Sequence, residues 1–137
     1  AALLTAVAEA AGPRRVVRVA ARALEGNKKA GAMNAGFLEW LEGAVRDFGA
    51  SAFDIGGVVA VCMSAVGLRN ARDAKAKRAA EAALAALYKQ LGPVVRKAVV
   101  ASHAPSDAEL AGLDAAFAAA GYTAGAKVVA TRVVKEA

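Results

Sequence analysis

Glycine at positions 12, 49 and 92 divides this chain at nearly regular intervals, and that punctuation restricts its possible folds more than any other feature. Each of the three closes a stretch in which apolar residues recur at the three-and-four spacing of one helix face. Two are followed by proline, in Gly12-Pro13-Arg14-Arg15-Val16-Val17-Arg18 and in Gly92-Pro93-Val94-Val95-Arg96-Lys97. Glycine accepts the left-handed backbone that ends a helix, and proline cannot continue a helix but can open the next one. The breaks recur at a period of about 40 residues, which accommodates two helices and their connections.

The longest periodic stretch, Asp73 to Leu91, carries the pattern most fully. Ala76, Ala80, Ala83, Leu84, Leu87 and Leu91 fall on one stripe, while Lys75, Arg78, Glu81 and Lys89 face elsewhere. Asp73 is placed to cap the free N–H groups of the first turn. The same logic predicts a helix over Ala1–Ala11 (Leu3, Leu4, Val7 and Ala11) that lacks a start signal, so the chain is expected to begin inside a helix and to be part of something longer. A second helix runs from Pro13 to about Leu24 with Val16, Val17, Ala20 and Leu24 inward and Arg14, Arg15, Arg18 and Arg22 outward. Residues Glu25–Met33 read as a loop, because two glycines interrupt the periodicity. Asn34 is predicted to cap a helix over Ala35–Phe48, with Phe37, Leu38, Leu41, Ala44, Val45 and Phe48 inward and Trp40 beside them. Asp54 is predicted to cap a helix from Ile55 to about Leu68, and Pro93 to open one ending near Ser102. Ser106-Asp-Ala-Glu109 is a capping-box pattern that starts a helix over Asp107–Ala120. The expectation is an all-α fold of antiparallel helix pairs, stacked as a HEAT- or armadillo-like α-solenoid over residues 1–121. Residues 122–137 read as a C-terminal tail or linker that can hold a short helix at Lys127–Glu136.

Composition supports close helix packing. The hydrophobic fraction of 58% is inflated by alanine, the best helix former and a small side chain. A mean hydropathy of +0.39 raises the question of a membrane span. The least polar run, Ile55 to Leu68, is bounded by Asp54 and Arg69 and falls short of the roughly 20 residues that spanning takes. No membrane partner is therefore expected, and no secretory signal pattern opens the chain. Cys62 is the sole cysteine and cannot form an internal disulfide, which fits a reducing compartment. A net charge of +6 points to an acidic partner.

Residues suited to catalysis are scarce. His103, the single histidine, has no cysteine or carboxylate at ligand spacing, Cys62 and Met63 lie mid-helix, and Gly56-Gly57 does not fit a phosphate loop. No enzymatic activity, metal or cofactor is expected. Basic residues, by contrast, gather at two places: Asn27-Lys28-Lys29, and Asn70 with Arg69, Arg72, Lys75, Lys77 and Arg78. In stacked helix pairs the loops within units line one edge, so both clusters are expected on a shared basic edge.

The order Leu38-Glu-Trp40-Leu41-x-x-Ala44-Val45-Arg46-Asp47-Phe48-Gly49, then Asp73-Ala-Lys-Ala-Lys77-Arg78-Ala-Ala, then Leu87-Tyr88-x-x-Leu91-Gly92-Pro93, resembles the later HEAT repeats of TOG domains, the tubulin-binding modules of the microtubule polymerase family. The resemblance spans roughly Ala6 to Tyr122, includes Leu113-Asp114-x-x-Phe117, and corresponds to the end of a third repeat followed by the fourth, fifth and sixth. It implies a non-enzymatic module that grips tubulin or microtubules, in the cytoplasm and cytoskeleton, through intra-repeat loops. The tubulin-facing residues it implies are Asn27, Lys28 and Lys29 in the fourth loop and Asn70, Arg72, Lys75, Lys77 and Arg78 in the fifth. The tryptophan that the family uses in its first loop has no counterpart here, and the fourth loop is longer and richer in glycine. The alternative is a structural scaffold that holds another protein of a larger assembly, cytoskeletal or otherwise. Nucleic acid is disfavoured because no aromatic side chain interleaves the basic loops.

Overall fold

A computed structural model describes residues 2–25, 32–70 and 72–122, and among them the chain is helical with no β-strand. The helices are α1 (Ala2–Ala11), α2 (Pro13–Glu25), α3 (Ala32–Phe48), α4 (Ile55–Met63), α5 (Ala74–Leu91), α6 (Pro93–His103) and α7 (Asp107–Ala120), with a single 3₁₀ turn at Ala50–Ala52. The breaks fall where the glycines predict them. Gly12, Gly49 and Gly92 all have positive φ, and Gly92 sits at φ 73°, ψ −146°, a conformation open to glycine, so α5 passes into α6 with no intervening loop. The predicted tail and its short helix at Lys127–Glu136 lie outside the described residues.

Neighbours in space follow an alternating order. Helix α3 lies along α5 and α5 along α7, while α2 meets α4 and α4 meets α6. Contacts of α2 with α3, α4 with α5 and α5 with α6 join these two rows. The closest match is α3 against α5, and α5 buries Ala76, Ala79, Ala80, Ala83, Leu84 and Leu87. Alanine leaves nothing between backbones but a methyl group, so the helices can approach closely. Phe37, Leu38, Trp40, Leu41, Val45 and Phe48 of α3 are buried in the same core, as the periodicity predicts. Trp40 stacks on Phe37 with ring centroids 5.9 Å apart, and its indole N–H donates to Thr5 Oγ1 of α1 at 3.1 Å. At the other end, Tyr88 of α5 stacks on Phe117 of α7 at 4.5 Å.

One side chain fixes the corner between α3 and α4. Gln90 of α5 donates from Nε2 to the Val45 carbonyl at 2.9 Å and accepts the Ala50 N–H on Oε1 at 2.6 Å. It thereby adds a second donor to a carbonyl that already accepts the Gly49 N–H at 3.1 Å, and gives an acceptor to an N–H left without one at the start of the 3₁₀ turn.

Two boundaries differ from those read in the sequence. Helix α3 starts at Ala32, so Asn34 lies inside it and does not cap it, and its Oδ1 is buried without a partner among the described residues. Ala32 and Met33 are good helix formers, which favours the extra residues. Helix α4 ends at Met63, not near Leu68. Ser64 stops it: its hydroxyl donates to the Val61 carbonyl at 2.8 Å and accepts the Val66 N–H at 3.1 Å, a local alternative to the helical ladder. The turn that follows folds back until the Leu68 N–H donates to the Cys62 carbonyl at 2.7 Å.

Gly67 makes that turn possible. A Cβ there would collide with the Cys62 carbonyl oxygen and come within 2.9 Å of Ala80 Cβ, backbone and core atoms that cannot easily give way. Gly36, on the exposed side of α3, would meet nothing within 4 Å. Gly67→Ala is therefore expected to lower the unfolding free energy by about 1–3 kcal/mol, and Gly36→Ala to raise it by about 0.5–1 kcal/mol. Urea titrations of the two variants should shift in opposite directions.

Candidate functional site

The start of α5 gathers the cations that the sequence singles out. Asn70 is buried, and its Oδ1 accepts the backbone N–H groups of Arg72 at 2.9 Å and Asp73 at 3.0 Å, which folds the chain into the entrance of the helix. Asp73 then caps α5, its Oδ1 accepting from Lys75 N at 2.9 Å and Ala76 N at 3.3 Å. Ala76, Ala79 and Ala80 point into the core, which leaves Arg72, Lys75, Lys77 and Arg78 exposed to solvent. Asn70 thus shapes this corner from within, while the four cations form its surface. Asn27, Lys28 and Lys29 lie outside the described residues.

Charge makes this corner unusual. The first turn of α5 contains no acidic residue. Backbone N–H groups give a helix N-terminus a partial positive charge, so lysine and arginine there oppose the macrodipole. Lys75 is offset by Glu39 of α3 at 3.6 Å, an exposed pair of little energetic value. No ion pair to Arg72, Lys77 or Arg78 is found among the described residues.

Arg69, close by in sequence, has a different job. Its Nη2 donates to the His103 carbonyl at the end of α6 at 2.6 Å, and its Nε donates to Glu109 Oε2 at 3.1 Å. Glu109 in turn accepts the Ser106 N–H at 2.9 Å, closing the predicted capping box of α7. Arg69 therefore ties the α4–α5 turn to the α6–α7 junction. Only a long-range contact reveals this role, so the sequence groups Arg69 with the cations of the edge. A second exposed pair, Arg96 with Asp114 at 2.8 Å, links α6 to α7.

His103 contributes its carbonyl to this junction. Cys62 is fully buried in α4, and burial pushes its thiol up to about 12, far from the thiolate state that nucleophilic chemistry requires. No cluster of three or more His, Cys, Asp or Glu side chains suited to a metal occurs among the described residues, and no helix among them is long and apolar enough to cross a membrane. In comparisons with protein-family models, curated proteins and solved structures, nothing matches this chain.

The Ser106 backbone N–H, and after it Arg69, hold the Glu109 carboxyl below its ordinary value of 4.5. A carboxylate favoured in the folded state contributes stability that is present above that value and is lost as pH falls through and below it. Glu109→Gln is expected to flatten the decline of the urea midpoint between roughly pH 5 and pH 3. A residual slope should remain from Asp114, which its hydrogen bond with Arg96 also holds low.

Proposed function

We propose that this chain is a non-enzymatic binding module in which the two helix rows are the two layers of a HEAT-like α-solenoid, and that the exposed cations at the start of α5 meet an acidic protein surface. The partner named by the resemblance to TOG domains is tubulin, free or in microtubules, with a role in microtubule assembly or organisation. The observation that carries this reading is the placement of Arg72, Lys77 and Arg78 around the N-terminus of α5, exposed and without an ion pair among the described residues, while the Asp73 carboxylate beside them is taken up in capping the helix. Helix stability favours carboxylates at this end. Cations held there against that preference suit an electrostatic contact outside the molecule, in which they steer association and fix register. The same resemblance names Asn27, Lys28 and Lys29, outside the described residues, as further tubulin-facing side chains.

The second reading is a scaffold that holds another protein through apolar contact. It is favoured by α1, whose Leu3 and Val7 are 76% and 43% exposed.

Reversal of Arg72, Lys77 and Arg78 to glutamate separates the two. Exposed pairs are worth at most about 1 kcal/mol each, so the triple variant should bind tubulin about 10- to 100-fold more weakly at low salt, with a smaller difference at high salt. Its thermal midpoint should hold or rise slightly, since the new carboxylates agree with the helix dipole. Co-sedimentation with microtubules and gel filtration with soluble tubulin provide the measurement. Equal binding by parent and variant would remove the basic edge from the mechanism and favour the scaffold.

A further inference from the structure

A groove of about 750 Å³ runs between α2 and α4, and no residue of the α5 corner lines it. Its two walls differ in character. From α2 come Arg14, Arg18 and Arg22, spaced four residues apart on the exposed side, with Val17 and Ala21 on the adjoining, more buried stripe. From α4 and the segment before it come Phe53, Ile55, Ala60 and Val61, with Asp54 the sole carboxylate in the lining. None of the three arginines makes an ion pair among the described residues. The groove thus has an apolar floor and one wall of guanidinium groups that have no ion pair among the described residues.

We propose that this groove binds an amphipathic helix of another protein, with a row of Asp or Glu along one flank and leucine-like side chains along the next stripe. The arginines repeat at about 6 Å along α2, four residues at the rise of an α-helix. A helix lying alongside and carrying a carboxylate at every fourth residue has the same repeat, so each acid meets one arginine. An extended peptide could match that spacing with every second residue, but its side chains point in only two opposed directions. It cannot place apolar groups down on the floor while aiming acids sideways at one wall. A helix, with a side chain every 100°, does both. Asp54 sets the polarity of the ligand: the end of the helix lying over it carries no acid. A second copy of this chain is a poor occupant, because at a net charge of +6 two copies repel.

The test is fluorescence anisotropy with a labelled synthetic peptide bearing Glu at every fourth position of one flank and Leu along the next. Two companion peptides replace every Glu by Lys, or break the helix with a central proline. Expected are binding that weakens as salt rises, at least tenfold loss for the Lys and proline peptides, and at least tenfold loss for the triple variant Arg14→Gln, Arg18→Gln, Arg22→Gln. Glutamine is a good helix former, so circular dichroism of that variant should match the parent. Ala60→Trp, at an exposed position of α4, should occlude the floor and weaken binding to a similar degree while leaving the arginines in place. The reversal of Arg72, Lys77 and Arg78 should leave this peptide's affinity unchanged, so the groove and the α5 edge stand or fall separately. Absence of peptide binding would overturn the proposal. So would equal affinity for the Arg→Gln variant, which would remove the arginines from the contact, equal affinity for the proline peptide, which would remove the need for a helix, or full displacement of the peptide by anionic lipid vesicles or by RNA, which would mark the arginines as a general anion surface.

Discussion

The fit of α5 against α3 is the constraint on which the remaining structure depends. Four of the six side chains that α5 buries as its main stripe are alanines, and their small size permits close approach along much of both helices. Burial of a methyl group removes little apolar area from water, so this seam gains its stability from many short contacts distributed along its length. A larger residue at Ala80 would meet the Gly67 turn, and one at Ala83 would lift α5 from its neighbours. Helices α4, α6 and α7 all pack on α5, and α4 also meets α2 and α6. Its position fixes theirs.

The cost of an alanine-rich seam is a shortage of shape to define register. Alanines are nearly interchangeable along a stripe, so register rests on the few large buried side chains, Leu84 and Leu87 of α5 among them, and on contacts outside the seam. Longer-range polar contacts supply what the seam lacks. Gln90 reads the end of α3 through two backbone groups that exist in that arrangement at only one place. Arg69 does the equivalent at the other end by joining the α4–α5 turn to the Ser106–Glu109 cap and the His103 carbonyl. The Trp40 indole bonded to Thr5 ties α1 to α3 in the same way. Polar groups are few in this interior, and most of those that occur specify position.

How far the amino-acid pattern reveals this architecture depends on the range of the forces involved. Helix ends governed by local chemistry are legible: Gly12, Gly49 and Gly92 by their freedom at positive φ, Asp73 by its carboxylate cap, and Ser106 with Glu109 by the capping box. The buried faces of α3 and α5 follow from periodicity alone. The end of α4 is not legible, because Ile55 to Leu68 has no charged residue to mark it and Ser64 stops the helix by a hydroxyl contact that many serines within helices also make without ending them. The start of α3 is obscured for a related reason, since Asn34 is a common cap and gives no sign that the helix already runs through it. For the candidate site, sequence reveals that cations cluster near the start of α5 and not which of them are free. Asn70 is turned inward and Arg69 is engaged with residues more than 30 positions away, facts that only three-dimensional proximity provides. The arginines of α2 are likewise legible as an outward stripe, whereas the apolar wall that faces them belongs to a helix some 40 positions further on.

The reach of Gln90 has a consequence for how the molecule comes to be made. A growing polypeptide emerges from its N-terminal end, so α3 and the glycine after it are complete well before residue 90 is available. Until then the Ala50 amide has only water to satisfy it, the Val45 carbonyl has the Gly49 N–H but not its second donor, and the angle at which the chain leaves α3 is free to vary beyond Gly49. The earlier portion of the protein therefore receives its final geometry from a portion synthesised later. A ribosome-bound chain halted before α5 should hold helices without a settled bend between them.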